Sequence, residues 1–355
     1  MKIQFLIAFF IFSCFFTTLL NAQQEVTGRI TEAYTGKPMP YASIRVSNTT
    51  IGTVSDELGN YSMTVPGRGN FEIVVSYLGY YPIFYKVNVP DTFHEIDFAL
   101  RVNEIAINEV TISAKHTGKS KHTKKDIDLF WRTLLGEKPS KNGLEVLNPN
   151  KMYYYLNKNN IFKASCNEPI EIINHKTGYR IHYILKGFQY NYNNREFEYG
   201  GAPCFEELKP QDNHEKNRWE KTRKEVYAAS ITHFLKALYN QQLHEEGFLL
   251  FVNGDSIDKN RIYPVELDDI LQMGEDEILL NIETPLLLIC ISEPVTAQMI
   301  EDDYKQIWAK NYPIVELMPQ QLIIHSDGSY IGVLVTRNIR YLIVGLSAIL
   351  PLDYN

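Results

Sequence analysis

From Val26 to Leu100 the chain alternates apolar and polar residues with few breaks, and this alternation limits its fold more than any other feature. In YASIRVS, Ala42, Ile44 and Val46 fall on one side and Ser43, Arg45 and Ser47 on the other, because successive side chains of a strand point to opposite faces. The same count sets apart Tyr61, Met63, Val65; Phe71, Ile73, Val75, Tyr77; Ile83, Tyr85, Val87, Val89; and Ile96, Phe98, Leu100. Val26 with Ile30, and Val110 with Ile112, supply the first and last strands. Strands with one apolar face each must cover it with a second sheet, so residues 23–114 are expected to form a seven-stranded β-sandwich. Gly36-Lys37-Pro38, the tract Ser55 to Asn60, Pro66-Gly67 with Gly69-Asn70, and Leu78-Gly79 punctuate the runs with residues suited to tight turns.

The motifs inside these strands carry a resemblance. V-x-G-x-I at Val26, G-x-P-x-x-x-A-x-I-x-V at Gly36, S-D-x-x-G-x-Y at Ser55 and S-Y-x-G-Y at Ser76 are together similar to the carboxypeptidase-like regulatory domain. That resemblance implies a transthyretin-like sandwich of the kind found in exported proteins of bacteria with an outer membrane. It implies no peptidase activity, because in zinc carboxypeptidases the sandwich is accessory to the catalytic domain. The stretch Ile107 to Ala114, INEVTISA, is similar to the energy-coupling box found after such sandwiches in outer-membrane receptors. The chain beyond Ala114 is too short for a plug and receptor barrel, so the stretch is read as the last strand.

Ahead of the sandwich, Lys2 precedes an apolar run from Phe5 to Leu20 that breaks at Asn21-Ala22-Gln23. Residues 1–22 fit a secretory signal peptide cut after Ala22, and the run is shorter than the roughly 20 residues that span a bilayer as a helix. Leu20, at a position where a smaller residue is usual, keeps a retained anchor as the alternative; Cys14 sits in a poor lipidation context. The mature chain then holds Cys166, Cys204 and Cys290. A Cys166–Cys204 disulfide and three inert buried thiols both remain open. No other apolar stretch has membrane length, so the mature chain is expected to carry no transmembrane span and to act in the periplasm or at the outer membrane.

Residues 115–125, KHTGKSKHTKK, hold five lysines and no apolar side chain, a basic linker. The rest, 126–355, mixes both periods. Ile127, Phe130, Trp131, Leu134 and Leu135 have helical spacing behind Asp126 and Asp128. MYYYL, IFKASC, PIEIIN, GYRIHYILKGFQYNY and REFEY read as strands, then one long helix from about Asn217 to His244, then FLLFV, EILLNIE, PLLLICIS, QLIIHS, SYIGVLV and IRYLIVGL. Asp327-Gly328 marks a hairpin turn. The fold class is therefore mainly β: a sandwich followed by an α+β domain with one long helix. FWRTLLGE, LNP, ASCNEPIEIINHKTGYRIHY, FEEL, RWEKTRKEVYAASITHFLKAL, EEGF and LPLDY make this domain resemble the uncharacterised one that accompanies the regulatory sandwich in many exported proteins. The resemblance brings no activity and no site residue.

Little in the chain is arranged for chemistry. A net charge of −7 gives no basic footprint for nucleic acid. His94-Glu95, His214-Glu215 and His244-Glu245 lack the second partner of a zinc-peptidase motif, and His233 and His244, on one helical face, would stand too far apart to share an ion. Neither a nucleophile elbow nor a nucleotide loop occurs, and Cys290 lies in an apolar run where thiols are inert. The carboxylate pairs Glu206-Glu207, Asp268-Asp269 and Asp302-Asp303 read as surface charge. The most pointed grouping is Arg218, Trp219, Arg223, Tyr227 and His233 on the long helix, facing Tyr153, Tyr154, Tyr179, Arg180, His182 and Tyr183. It would suit an anionic or carbohydrate ligand, or it fastens the helix to the sheet; fastening is the stronger reading. The expectation is an exported non-catalytic binding or envelope-structural protein, with no cofactor, no metal and no catalytic residue to name, whose partner is a cell-envelope protein or glycan. The alternatives are a hydrolase of peptide or glycan with its site in 126–355, and an accessory of outer-membrane receptors.

Overall fold

A computed structural model of the chain describes residues 23–66, 69–89, 95–103, 123–136, 143–253, 262–275, 277–291, 293–296, 310, 312–332, 336–340, 346 and 349–354. Seven strands build the N-terminal sandwich: β1 (Gln23–Glu32), β2 (Ser43–Val46), β3 (Gly52–Val54), β4 (Asn60–Pro66), β5 (Gly69–Ser76), β6 (Ile83–Val89) and β7 (Phe98–Leu100). One sheet has the order β4-β1-β7 and the other β3-β2-β5-β6. The alternating residues meet between them, with Ile30, Ala42, Ile44, Val46, Ile73, Val75 and Leu100 fully buried. The short strand β3 carries too little apolar pattern to be read from sequence. The expected last strand at Val110 and Ile112 lies outside the described residues, as do the leader and the linker up to His122.

The second part opens with α1 (Lys124–Leu135), which begins inside the lysine block because Asp126 accepts the Thr123 N–H and closes the first turn. Strands β8 (Leu144–Val146), β9 (Met152–Leu156), β10 (Ile161–Cys166), β11 (Ile170–Asn174), β12 (Tyr179–Asn191) and β13 (Glu196–Glu207) form one sheet. Strand β12 is long enough for β11 and β10 to pair with it end to end, while β13 pairs along its whole length with an irregularity at Leu185/Gly187. Phe130, Leu134 and Leu135 of α1 pack on the inner face with Phe162, Ile172, Ile181 and Phe205.

The expected single helix from Asn217 to His244 is corrected to two: α2 (Asn213–Ala228) and α3 (Ile231–Tyr239). The apolar stripe runs on through the break, but the Ser230 side chain accepts the His233 N–H at 3.0 Å and starts a new helix. Beyond it lie β14 (Phe248–Asn253), β15 (Ile262–Pro264), α4 (Leu267–Ile270), β16 (Leu271–Met273), β17 (Glu277–Ile282), β18 (Leu286–Cys290), β19 (Ile314–Leu317), β20 (Gln320–His325), β21 (Tyr330–Gly332) and β22 (Thr336–Arg340). They make two sheets, β15-β14-β18-β19-β22 and β16-β17-β20-β21, closed over Phe234, Leu235 and Leu238 of α3. The Asp327-Gly328 turn joins β20 to β21, with Gly328 N–H on the His325 carbonyl.

A seam joins the sandwich to the rest. The β2–β3 turn enters it: Asn48 N–H donates to Pro203 O at 2.6 Å, Phe205 N–H to Thr49 O at 2.9 Å, and Leu352 N–H to Asn48 O at 2.7 Å. Asn48 sits at φ 62°, a left-handed conformation that asparagine tolerates better than most residues. Beside it Val74 and Phe84 pack on Ile184, Ala202 and Cys204, and Lys186 reaches Glu72 at 2.7 Å.

Candidate functional site

Of the eleven residues in the sequence grouping, the structure brings Trp219, Arg223, Tyr227, His233 and Tyr179 to one place and separates the others. Strand alternation does the sorting. Tyr179 and Tyr183 belong to the inner-face core, whereas Arg180 and His182 alternate to the other face. There His182 bridges Glu171 at 2.8 Å and Glu206 at 3.3 Å. Tyr154 joins the core while Tyr153 is exposed, and Arg218 pairs with Glu215 one turn away. Glu206 and Glu207, adjacent in sequence, also part: Glu206 meets His182 and Glu207 meets Arg223.

Arg223 is buried, 7% exposed, and each of its three guanidinium nitrogens makes a hydrogen bond. Nε donates to Thr177 O at 2.6 Å, Nη1 to Glu207 Oε1 at 2.5 Å and Nη2 to Gly178 O at 3.4 Å. The guanidinium lies 4.1 Å from the Tyr179 ring centroid, a stacking that Arg supports and Lys does not. One turn earlier, Trp219 Nε1 donates to His175 O at 3.0 Å, and its indole covers Gly178. Burial pushes the Tyr179 hydroxyl up to about 12, with the Arg223 charge opposing the shift. These residues fasten α2 to the β11–β12 turn, which is the fastening reading of the sequence.

Around this fastening opens a cleft of about 380 Å³. The sandwich contributes Thr50, β13 contributes Glu207, α2 contributes Glu220 and Lys224, and the C-terminal segment contributes Asp353 and Tyr354. The Thr50 N–H and hydroxyl both donate to the Asp353 carboxylate, at 3.0 and 2.5 Å. Tyr227 stacks against His233 at 4.5 Å and meets Tyr354 edge-on at 5.8 Å. His233 in turn reaches Glu246 at 2.8 Å; His244, expected on its helical face, lies beyond the end of α3. Sequence reading missed Thr50, Glu220, Lys224, Asp353 and Tyr354. The available signal was that GYRIHY, FEEL, RWEKTRKEV and LPLDY, quoted for the resemblance of the second part, supply most of this cleft.

The thiols are not paired: Cys166, Cys204 and Cys290 are all free. Cys204 lies in the seam among Val74 and Ile184, whereas Cys166 packs against the opposite, inner-face core. Burial pushes Cys204 and Cys290 each up to about 12. Asp268-Asp269 occupies the first turn of α4; Asp302-Asp303 lies outside the described residues. Among the described residues no cluster of three or more His, Cys, Asp or Glu could hold a metal ion, and no helix is long and apolar enough to cross a membrane.

Residues 26–112 match the family model described as a CarboxypepD_reg-like domain. A stretch of 71 residues is 45% identical to a TonB-dependent receptor of Formosa agariphila, covering 20% of this chain and 7% of that receptor; the chain thus spans a small part of the relative it matches. Among solved structures, catechol 1,2-dioxygenase from Acinetobacter sp. aligns at 14% identity and TM-score 0.19, over 24% of this chain and 54% of that one. A Bacteroides fragilis protein of unknown function, described as a candidate membrane-associated protein, aligns at 10% identity and TM-score 0.18, over 89% and 95%. Scores this low carry no fold argument.

Proposed function

We propose that the chain is an exported, non-catalytic component of the cell envelope that binds an envelope protein or glycan at the junction between its sandwich and its larger body. The observation that carries this reading is the junction cleft itself: Thr50 of the sandwich, Lys224 and Glu220 of α2 and Tyr354 line one opening while Arg223 stays locked in the wall. An exposed cation, an exposed carboxylate and a tyrosine around a polar opening suit hydroxyl-rich or charged groups. The regulatory-like sandwich and its likeness to part of an outer-membrane receptor support an envelope or receptor-associated setting.

A hydrolase reading has one observation in its favour, because Glu207, Glu220 and Asp353 line the same cleft. Against it, Glu207 is bound to Arg223 and Asp353 to Thr50, so two of the three carboxylates already serve the structure. One experiment separates the readings. The full chain is expressed in a two-membrane bacterium, fractionated, and the purified protein incubated with isolated peptidoglycan and with envelope membranes. Recovery in the envelope fraction, retention that falls at least fivefold in Lys224→Glu, and no bond cleavage are expected. Recovery in the cytosol would overturn the envelope reading; turnover abolished by Glu220→Gln would establish the hydrolase instead.

A further inference from the structure

Helix α2 brings two opposite charges to the junction cleft that do not neutralise each other. Glu220 and Lys224 both line the opening and lie one turn apart on the helix, a spacing that sets Cβ atoms about 5–6 Å from each other. The Glu220 carboxylate leans away, toward Lys216 at 3.7 Å. Among the described residues Lys224 makes no ion pair and no hydrogen bond. The other charges of the lining are taken up within the chain: Arg223 pairs with Glu207 Oε1, and both oxygens of Asp353 accept from Thr50. Glu207 keeps its second oxygen for the opening. Tyr179 adds a buried polar group. Its side chain is 4% exposed and is held by its ring, under Arg223 at 4.1 Å and edge-on to Phe205 at 5.8 Å. Its hydroxyl, in the cleft wall, has no hydrogen-bond partner among the described residues. Buried tyrosine hydroxyls usually find one.

We propose that the cleft takes a zwitterionic amino-acid group, an ammonium and a carboxylate on one carbon, of the kind a peptide-bearing glycan exposes. The proposal rests on the envelope-binding reading above and names what that cleft recognises. The charges decide between ligand classes. A simple anion would meet Lys224 but face the carboxylates of Glu220 and Glu207, and a simple cation would meet those carboxylates but face Lys224; like charges brought together count against both. A group carrying both charges a bond or two apart fits between Glu220 and Lys224 with each end toward its opposite. Its carboxylate also gives the Tyr179 hydroxyl the acceptor that the chain does not supply. A single amino-acid group does not fill the opening of about 380 Å³. A second hollow of about 280 Å³ shares Glu207, Glu220 and Arg223 with it and adds Lys209 and Lys216, so the rest of a peptide has room to continue there.

Calorimetric titration of the full chain with meso-diaminopimelic acid tests the proposal against two compounds cut from the same skeleton. Pimelic acid lacks the ammonium groups, and 1,5-diaminopentane lacks the carboxylates. Diaminopimelic acid is expected to bind about tenfold more tightly than either, the worth of one charge-assisted hydrogen bond. Lys224→Gln should erase the advantage over 1,5-diaminopentane, and Glu220→Gln the advantage over pimelic acid, a charge-specific pattern that a general distortion of α2 would not produce. Tyr179→Phe, which keeps the ring under Arg223, should weaken binding about threefold and leave the melting temperature unchanged. Equal binding of the three compounds, no binding of diaminopimelic acid, or binding unaltered in both Lys224→Gln and Glu220→Gln would overturn the inference. Retention on the envelope that still depends on Lys224 would then leave the binding reading standing, whereas diaminopimelic acid bound by a protein recovered in the cytosol would do the reverse. Release of the chain from peptidoglycan by excess diaminopimelic acid would assign the group to that polymer; calorimetric binding without release would assign it to the free amino acid.

Discussion

Gly178 shows how one missing side chain fixes a helix to a sheet. It lies at φ +69°, and a Cβ there would stand 2.3 Å from the Trp219 ring. Gly178→Ala is therefore expected to lower unfolding free energy by about 2–3 kcal/mol, from left-handed strain and the forced shift of the indole; urea titration with an unchanged slope would check it. The cysteines give a second expectation. Cys204 and Cys290, held up to about 12, should resist alkylation in the native protein at pH 8 and react after unfolding. Tyr154 and Tyr179 are also raised by burial, each to about 12. A raised pKa means that the folded state keeps protons which the unfolded state releases. Its contribution to stability is complete below the unfolded values and is lost as pH climbs through the folded ones. Midpoints of urea unfolding should consequently fall between about pH 9 and 12; a flat profile there would contradict the assignment. At this scale the sequence exposed Trp219, Arg223 and Tyr179 as a set, because residue type and helical spacing are visible in it. It could not place Asp353 or Thr50, whose meeting depends on a seam between distant segments.

Ser230 decides the architecture of the α2–α3 region. Ser230→Ala removes the acceptor of the His233 N–H, and about 1 kcal/mol of stability should go with it. Amide exchange should rise first in the opening turn of α3 and stay unchanged in α2. The strands were legible because a two-residue period survives local noise: Ala42, Ile44 and Val46, Tyr61, Met63 and Val65, and Ile96, Phe98 and Leu100 reappear as buried rows, with Phe71, Tyr77, Ile83 and Tyr85 packed partly buried against them. The helix break was not, because a cap is one polar residue inside an uninterrupted stripe. Strand β3 escaped for the opposite reason; three residues pairing with Ser43, Ile44 and Arg45 carry no readable period.

For the whole molecule, stability is distributed over separate apolar clusters, a small one of them inside the seam between the sandwich and the larger body. Asp353→Ala should leave those clusters folded while freeing the C-terminal segment. The expected signs are faster amide exchange at Thr50 and Leu352 and a loss of about 1 kcal/mol, the usual worth of hydrogen bonds with one ionised partner near the surface. Unfolding of the sandwich alone would show that the seam is structural to it. The bond between Thr50 and Asp353 spans 303 positions. A growing polypeptide therefore has the residues of the sandwich available long before the carboxylate that clasps it exists. Maturation has a built-in order: the β-sheets of the first hundred residues can form early, and only the arrival of Asp353 closes the clasp.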